Sequence, residues 1–339
     1  MTPVAHVVVP RAAALATDHV APVGPGVSSA FPALPLELSE AGAGSLVAAD
    51  IGRLLRPRIT VMVLATVTAA AWLTAGRAVD LRELVALLVG TALVAASSSI
   101  ANQVLERRTD RLMPRTANRP VSAGRIDPVH GWWIAAGLGG AGLVLVVAGG
   151  GIGAALAAAL TWLLYVGVYT PLKRLSPLNT AVGAVPGALP VAIGWLGADG
   201  PARLAAGDHA GAVAVAALGA VLYLWQFPHF MAIAWLYRRE YAAAGLKMLT
   251  VVDSTGIRAG AQAVATALVM VPASLLLAVP SGRWPLFCLA AALSGTYVAA
   301  AARFAFARDD RSARRLLLVS IVVLLGLLLA TVGCGPPRA

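Results

Sequence analysis

The residues best equipped for chemistry gather in one stretch, Asn102 to Arg125 (NQVLERRTDRLMPRTANRPVSAGR), between two long apolar runs. Asn102, Glu106 and Asp110 stand four apart, and Arg111, Arg115 and Arg119 follow at the same interval. Residues four apart stack on one face of a helix. The spacing therefore predicts an amide and two carboxylates in a row, with guanidiniums just beyond. Two carboxylates held side by side repel each other unless a cation joins them. Mg²⁺ suits such a place, because it takes few protein carboxylates and completes its shell with water and substrate phosphates. Arginines beside it suit a polyphosphate. The chemistry expected is a Mg²⁺–diphosphate site. The plainer reading is a solvated, basic loop at a membrane surface with incidental acids, and this stretch alone does not choose between them.

Two further polar motifs stand apart from the apolar background. Tyr169–Asn179 (YTPLKRLSPLN) carries Lys173 and Arg174 between Pro171 and Pro177, which fix a turn. It reads as a clamp on a diphosphate or as an ordinary positive anchor. Pro186 and Pro190, with Gly183, Gly187 and Gly194, are expected to bend or open the helix that follows; small residues also permit close helix contact. Leu224–Leu249 (LWQFPHFMAIAWLYRREYAAAGLKML) puts Gln226 and His229 inside an apolar helix. Polar groups at that depth are costly and read as functional. His229 fits a haem ligand or proton carrier, and equally a structural histidine bonded to a neighbouring helix. Beyond that helix come Arg238, Arg239, Glu240, Tyr241, Lys247 and Asp253. Glu240 and Asp253 are expected to hold a second Mg²⁺ with Lys247 near the phosphates; a solvated loop is the alternative.

The elements that must position these groups follow from composition. Of 339 residues 59% are hydrophobic and 12% charged, about half the charge of a soluble chain. The formal charge of +11 lies in short loops between apolar runs, so it does not point to nucleic acid. Cys288 and Cys334 have no paired spacing, which leaves out a disulfide framework and a cysteine metal site. Residues 1–50, rich in Ala and Pro, are expected to form a disordered extension, with the membrane domain over 51–339. This extension lacks the pattern of a signal peptide or of an Arg-rich, acid-poor presequence. Uncharged stretches run Ile59–Gly76, Leu84–Leu105, Gly131–Leu172, Leu175–Ala198, Ala210–Tyr237, Ala259–Gly282, Trp284–Ala302 and Leu316–Pro337. A spanning helix needs about 20 residues. Gly131–Leu172 is twice that and is expected to fold as a hairpin at Gly149-Gly150-Gly151, so the eight stretches predict nine helices. The runs lack the alternation of barrel strands. With the N-terminus in the cytoplasm, all but five of the 26 Lys and Arg (Arg77, Arg82, Arg203, Arg283 and Arg338) fall on the inner side. The three motifs then share that face.

Taken together, N-x-x-x-E-x-x-x-D, YTPLKR and WQFPHF…REYAAAG…ML resemble the UbiA superfamily of intramembrane prenyltransferases. The branch that fits best is its protohaem IX farnesyltransferase (haem O synthase) branch, through WQFPHF, through RPRIT at Arg56–Thr60 and through RTANRPVSAGRI at Arg115–Ile126. The resemblance covers roughly residues 53–335. Glu106 stands where the family usually has Asp, which keeps the charge and shifts the geometry, and Arg56 replaces a more usual Lys.

This resemblance implies an all-α, nine-helix transmembrane bundle around a central cavity, capped by polar loops on the cytoplasmic side of a bacterial inner membrane. It implies transfer of farnesyl from farnesyl diphosphate to the 2-vinyl group of haem b, with addition of water, giving haem O and diphosphate. Asn102, Glu106 and Asp110 would hold Mg²⁺, with Glu240 and Asp253 as the second metal pair. Lys173 and Arg174 would act in catalysis. Arg115, Arg119, Tyr169, Asn179, Gln226, His229, Arg239, Tyr241 and Lys247 would contact substrates. The implied partners are the lipid bilayer and, downstream, a haem A synthase or oxidase assembly proteins. The rival within the superfamily is a prenyltransferase acting on a quinone-ring precursor, against which WQFPHF argues. A transporter would need ionisable groups spread through the membrane, and a structural subunit would not need three charged clusters on one face.

Overall fold

A computed structural model describes residues 43–75 and 80–333. Of the extension expected over residues 1–50, residues 1–42 lie outside the described residues, and 43–50 are helical. The described residues are helical apart from short turns, with no strand among them. In order, the helices are α1 (Ala43–Leu55), α2 (Pro57–Ala75), α3 (Leu81–Asp110), α4 (Pro114–Ala117) and α5 (Pro128–Trp162). A π-helical segment (Leu163–Tyr169) leads into α6 (Thr170–Leu175), α7 (Asn179–Ala188), α8 (Pro190–Gly197) and α9 (Gly200–Ala205). Then come α10 (His209–Leu236), α11 (Arg238–Ala243), α12 (Leu249–Val252), α13 (Ile257–Ala278), α14 (Trp284–Ala307) and α15 (Asp310–Gly333).

Local chemistry sets the ends. Asp80 caps α3 by accepting from the backbone N–H of Arg82 at 2.7 Å, and Asp127 caps α5 by accepting from Val129 at 2.9 Å, with Pro128 at the first helical position. At Pro186 and Pro190, where a bend is expected, the helix is interrupted only by a turn at Leu189, which keeps helical φ −58° and ψ −25°, and Pro190 opens α8. Pro228, by contrast, sits inside a continuous α10.

Among the described residues, eight helical runs are long and apolar enough to cross a membrane, and one of them, Pro128–Leu175, has 48 residues. A straight helix of that length would reach about 70 Å, over twice the roughly 30 Å of a bilayer core. It does not run straight. Gly151 adopts φ 73°, ψ 179°, a conformation open to glycine alone. The Ser97 hydroxyl of α3 donates to the Ala135 carbonyl at 2.6 Å and accepts from the Trp162 indole at 3.0 Å, so one residue touches both arms of the hairpin.

α2 packs on α3, α8, α10 and α15; α5 packs on α3 and α8; α10 packs on α13 and α15, and α14 joins α13 to α15. The ring closes because α15 returns to α2. α3 and α5 meet through glycine, and a Cβ added to Gly90 would lie 2.7 Å from the Gly142 carbonyl. Large apolar side chains also point outward, Trp133 at 73% exposure and Leu329 at 72%, as lipid-facing helices do. Arg238, just past α10, pairs with Asp310 at the start of α15 at 2.8 Å. The α14–α15 turn is thereby tied to the end of the bundle where α10 finishes.

Candidate active site

α3 stays helical through Asp110, and this brings the row onto one face as its spacing requires. Asn102 is fully buried; its amide donates to Thr170 Oγ1 at 3.0 Å and its carbonyl accepts from Arg56 at 3.1 Å. Glu106 accepts from Lys173 Nζ at 2.7 Å through Oε1, and its Oε2 lies 4.0 Å from Arg119. Asp110, 1% exposed at its side chain, accepts from Arg119 at 2.6 Å through Oδ2. Its Oδ1 is buried and has no hydrogen-bond partner. Two carboxylates therefore face three cations, Arg56, Arg119 and Lys173. Burial first, then the charge of Arg56, pull the Arg119 guanidinium below its ordinary pKa. A surplus of buried positive charge next to an open carboxylate oxygen is suited to an added anion that brings a metal with it.

Three segments far apart in the chain build this cluster. Arg56 joins α1 to α2 in a left-handed backbone conformation, φ 47°, which costs a side chain about 1–2 kcal/mol. α3 holds the junction in place: Ser99 donates to the Leu54 carbonyl at 2.7 Å and Gln103 to the Arg53 carbonyl at 3.2 Å. From there Arg56 reaches Asn102 and the Tyr165 hydroxyl, the latter at 3.2 Å. The π-helical turn at Leu163–Tyr169 sets Tyr165 and Tyr169 beside each other and places Lys173 4.4 Å above the Tyr169 ring. Such turns are rare and recur at functional sites. Arg115 stacks 4.4 Å over Tyr237 and donates to the Tyr241 hydroxyl at 3.3 Å, which ties the loop after α3 to the segment after α10.

The other expected residues divide. Asn179 is buried and donates to the Ser176 and Lys247 carbonyls at 2.7 and 3.0 Å, while the Lys247 N–H donates to the Lys173 carbonyl at 2.7 Å. Asn179 and Lys247 thus brace the turn that carries Lys173, and the Lys247 side chain is exposed. Arg174 and Arg239 are exposed and make no side-chain hydrogen bond among the described residues. Gln226 donates to the Ala184 and Leu222 carbonyls, both at 3.0 Å, holding α10 against α7. His229 stacks on Trp225, with ring centroids 4.5 Å apart, and its Nδ1 lies 2.7 Å from Ser320 Oγ. The same Oγ is 2.6 Å from the Leu317 carbonyl. Ser320 Oγ thus lies within hydrogen-bond reach of both the Leu317 carbonyl and His229 Nδ1, and ties α10 to α15.

The second metal pair does not assemble in the same way. Asp253 accepts from the Thr255 N–H through Oδ1 and from the Arg258 N–H through Oδ2, at 3.2 and 2.8 Å, and so caps α13. One Glu240 oxygen is buried without a partner, but no hydrogen bond or shared cation joins Glu240 to Asp253 among the described residues. Nor do the described residues hold any cluster of three or more His, Cys, Asp and Glu fit for a metal. The row fits Mg²⁺ on other grounds. It supplies two carboxylates and an amide, one carboxylate oxygen is free, and phosphates and water complete the shell. Arg56 and Tyr165 were missed as site residues; RPRIT marked the first by its charge, and nothing local marked the second.

Comparison with known proteins gives a consistent picture. The UbiA prenyltransferase family matches residues 63–332. A protoheme IX farnesyltransferase from Rhodopirellula baltica is 41% identical over 286 residues, covering 81% of this chain and 96% of its own. The protein of that name from Solibacter usitatus is 34% identical, covering 81% and 94%. The mitochondrial one from Arabidopsis thaliana is 36% identical, covering 84% and 64%. Among solved structures, one described as digeranylgeranylglyceryl phosphate synthase in membranes superposes with a TM-score of 0.68 at 16% identity, covering 84% of this chain and 97% of that one. A UbiA homolog from Archaeoglobus fulgidus bound to GPP and Mg²⁺ gives 0.58 at 16%, covering 83% and 99%.

Proposed function

The chain belongs to the UbiA prenyltransferase family, and on that premise we propose that it is a protohaem IX farnesyltransferase. It joins farnesyl diphosphate and haem b, with water, to give haem O and diphosphate, the step that leads to haem A for terminal oxidases. The observation that carries the chemistry is the buried row in which Glu106 and Asp110 face Arg56, Arg119 and Lys173, with Asp110 Oδ1 open. The acceptor is supported by similarity to proteins named for this reaction over most of the chain.

Asn102, Glu106 and Asp110 would hold Mg²⁺, which when bound supplies Lewis-acid neutralisation of the diphosphate. Lys173 and Arg119, now paired with the carboxylates, turn to the diphosphate and stabilise the charge that develops as it leaves. Arg56 approaches from the α1–α2 junction and fixes the Asn102 carbonyl. The farnesyl cation left behind is shielded from water by the apolar bundle until the vinyl carbon reaches it. His229, with Nδ1 beside Ser320, would contact the haem, through its iron or a propionate. With the Pro128–Leu175 hairpin counted as two spans, the eight runs of the described residues make nine transmembrane helices, and the positive-inside bias supports a site on the cytoplasmic side of a bacterial inner membrane. The test is pigment analysis. Expressed in cells lacking their own haem O synthase, the chain should yield a haem heavier than haem b by one farnesyl group and one water. Haem b alone, in cells with well-inserted protein, would turn the reading to a quinone-type acceptor.

A further inference from the structure

We infer that α1 is a clasp on the loop after α3: Asp50 and Arg125 are positioning residues that hold Arg119 over the carboxylate row. The inference deepens the reading of that row as the diphosphate site and rests on it. Arg125 grips Asp50 with two bonds, Nε to Oδ2 at 2.7 Å and Nη2 to Oδ1 at 2.8 Å. The same guanidinium donates twice to Asn118, to its side-chain and backbone oxygens, both at 2.9 Å. A partly exposed ion pair contributes little to global stability. A guanidinium with four placed bonds does something else: it fixes direction.

What it fixes is Arg119. The Ala123 N–H donates to the Arg119 carbonyl at 2.8 Å, and the Arg125 N–H donates to the Pro120 carbonyl at 2.9 Å. Arg111 braces the same turn by donating to the Ser122 carbonyl at 2.7 Å. Arg119 and Arg125 therefore move as one knot. The far end of the clasp is anchored to α3, since Ser99 and Gln103 hold the carbonyls of Leu54 and Arg53. The contacts form a closed ring: α3 to α1, Asp50 to Arg125, Arg119 back to Asp110 at the end of α3. Without the clasp the knot keeps Arg111 on Ser122 and Arg115 on Tyr237 and Tyr241, but loses its tie to α1, and the direction of Arg119 loosens.

The experiment compares wild type, Asp50→Asn, Arg125→Gln and Asp50→Glu in purified, full-length protein. Hydrogen exchange of residues 111–127 reads the clasp without any assay of activity; it should quicken in Asp50→Asn and Arg125→Gln and return toward wild type in Asp50→Glu. In steady-state assays the KM for farnesyl diphosphate should rise roughly tenfold in the first two variants, with the KM for haem b unmoved, and Asp50→Glu should recover most of it. Exchange unchanged by Asp50→Asn would overturn the clasp. Quickened exchange with an unmoved farnesyl diphosphate KM would overturn its role in positioning. If wild type transfers no farnesyl group, the functional reading fails while the exchange data still decide the clasp.

Discussion

At Asp110 one oxygen is taken by Arg119 and the other, buried, has no partner. That asymmetry makes it the best metal ligand of the row and the most sensitive position. Asp110→Asn keeps the shape and removes the charge, so turnover should fall by at least about 100-fold in protein that still inserts, with some loss of melting temperature because Arg119 loses its partner; turnover near wild type would remove Asp110 from the chemistry. Glu106→Asp shortens a side chain whose Oε1 reaches Lys173 at 2.7 Å. It should stay active within roughly tenfold, because a water can span a gap of one methylene, and complete loss would mean that the site is built around the longer acid. His229 offers a third test. His229→Ala should raise the haem b KM and shift the haem absorption band. Ser320→Ala, which removes the hydroxyl 2.7 Å from Nδ1 and so the orientation of the ring, should do so more weakly. If neither variant moves either quantity, His229 only joins α10 to α15.

At the level of elements, the hairpin at Gly151 and the start of α8 at Pro190 were legible because glycine and proline act locally. The partners of Arg56 were not, because they lie in the last third of α3 and in the far arm of the hairpin. The π-helical turn was invisible too: LLYVGVY has no local signature that separates it from an α-helix. Lys173 and Arg174 show a different limit. Adjacent residues differ by about 100° around a helix, so only Lys173 can face Glu106, and Arg174 is exposed. Packing of α3 on α5 depends on the missing side chain at Gly90. Gly90→Ala puts a Cβ 2.7 Å from both the Gly142 carbonyl and the Val146 nitrogen, whereas a Cβ at Gly137 meets nothing within 4 Å. Thermal melting should show Gly90→Ala less stable by about 1–3 kcal/mol and Gly137→Ala unchanged or slightly more stable. Equal effects would mean that α3 and α5 slide apart at no cost.

Across the whole molecule, the site, the Arg115 tether and the α14–α15 turn gather at one end through contacts already described, Arg238 to Asp310 among them. Lys173, Arg119, Arg115 and Arg238 lie at that end. The proposed orientation rests on the positive-inside bias, and the proposed reaction makes a chemical demand on it. A prenyl diphosphate carries several negative charges and does not cross a bilayer core unaided, so the row must open to the side on which the donor is made. Single cysteines in a background with Cys288 and Cys334 replaced by Ser test this with a membrane-impermeant maleimide on intact cells. Ala206→Cys, at the end of α9, should react from outside; Arg311→Cys, in the first turn of α15, should react only after the membrane is opened. The reverse pattern would put Glu106, Asp110 and Lys173 on the outer face, away from a cytoplasmic diphosphate donor, and the proposed reaction could not be the one this chain performs.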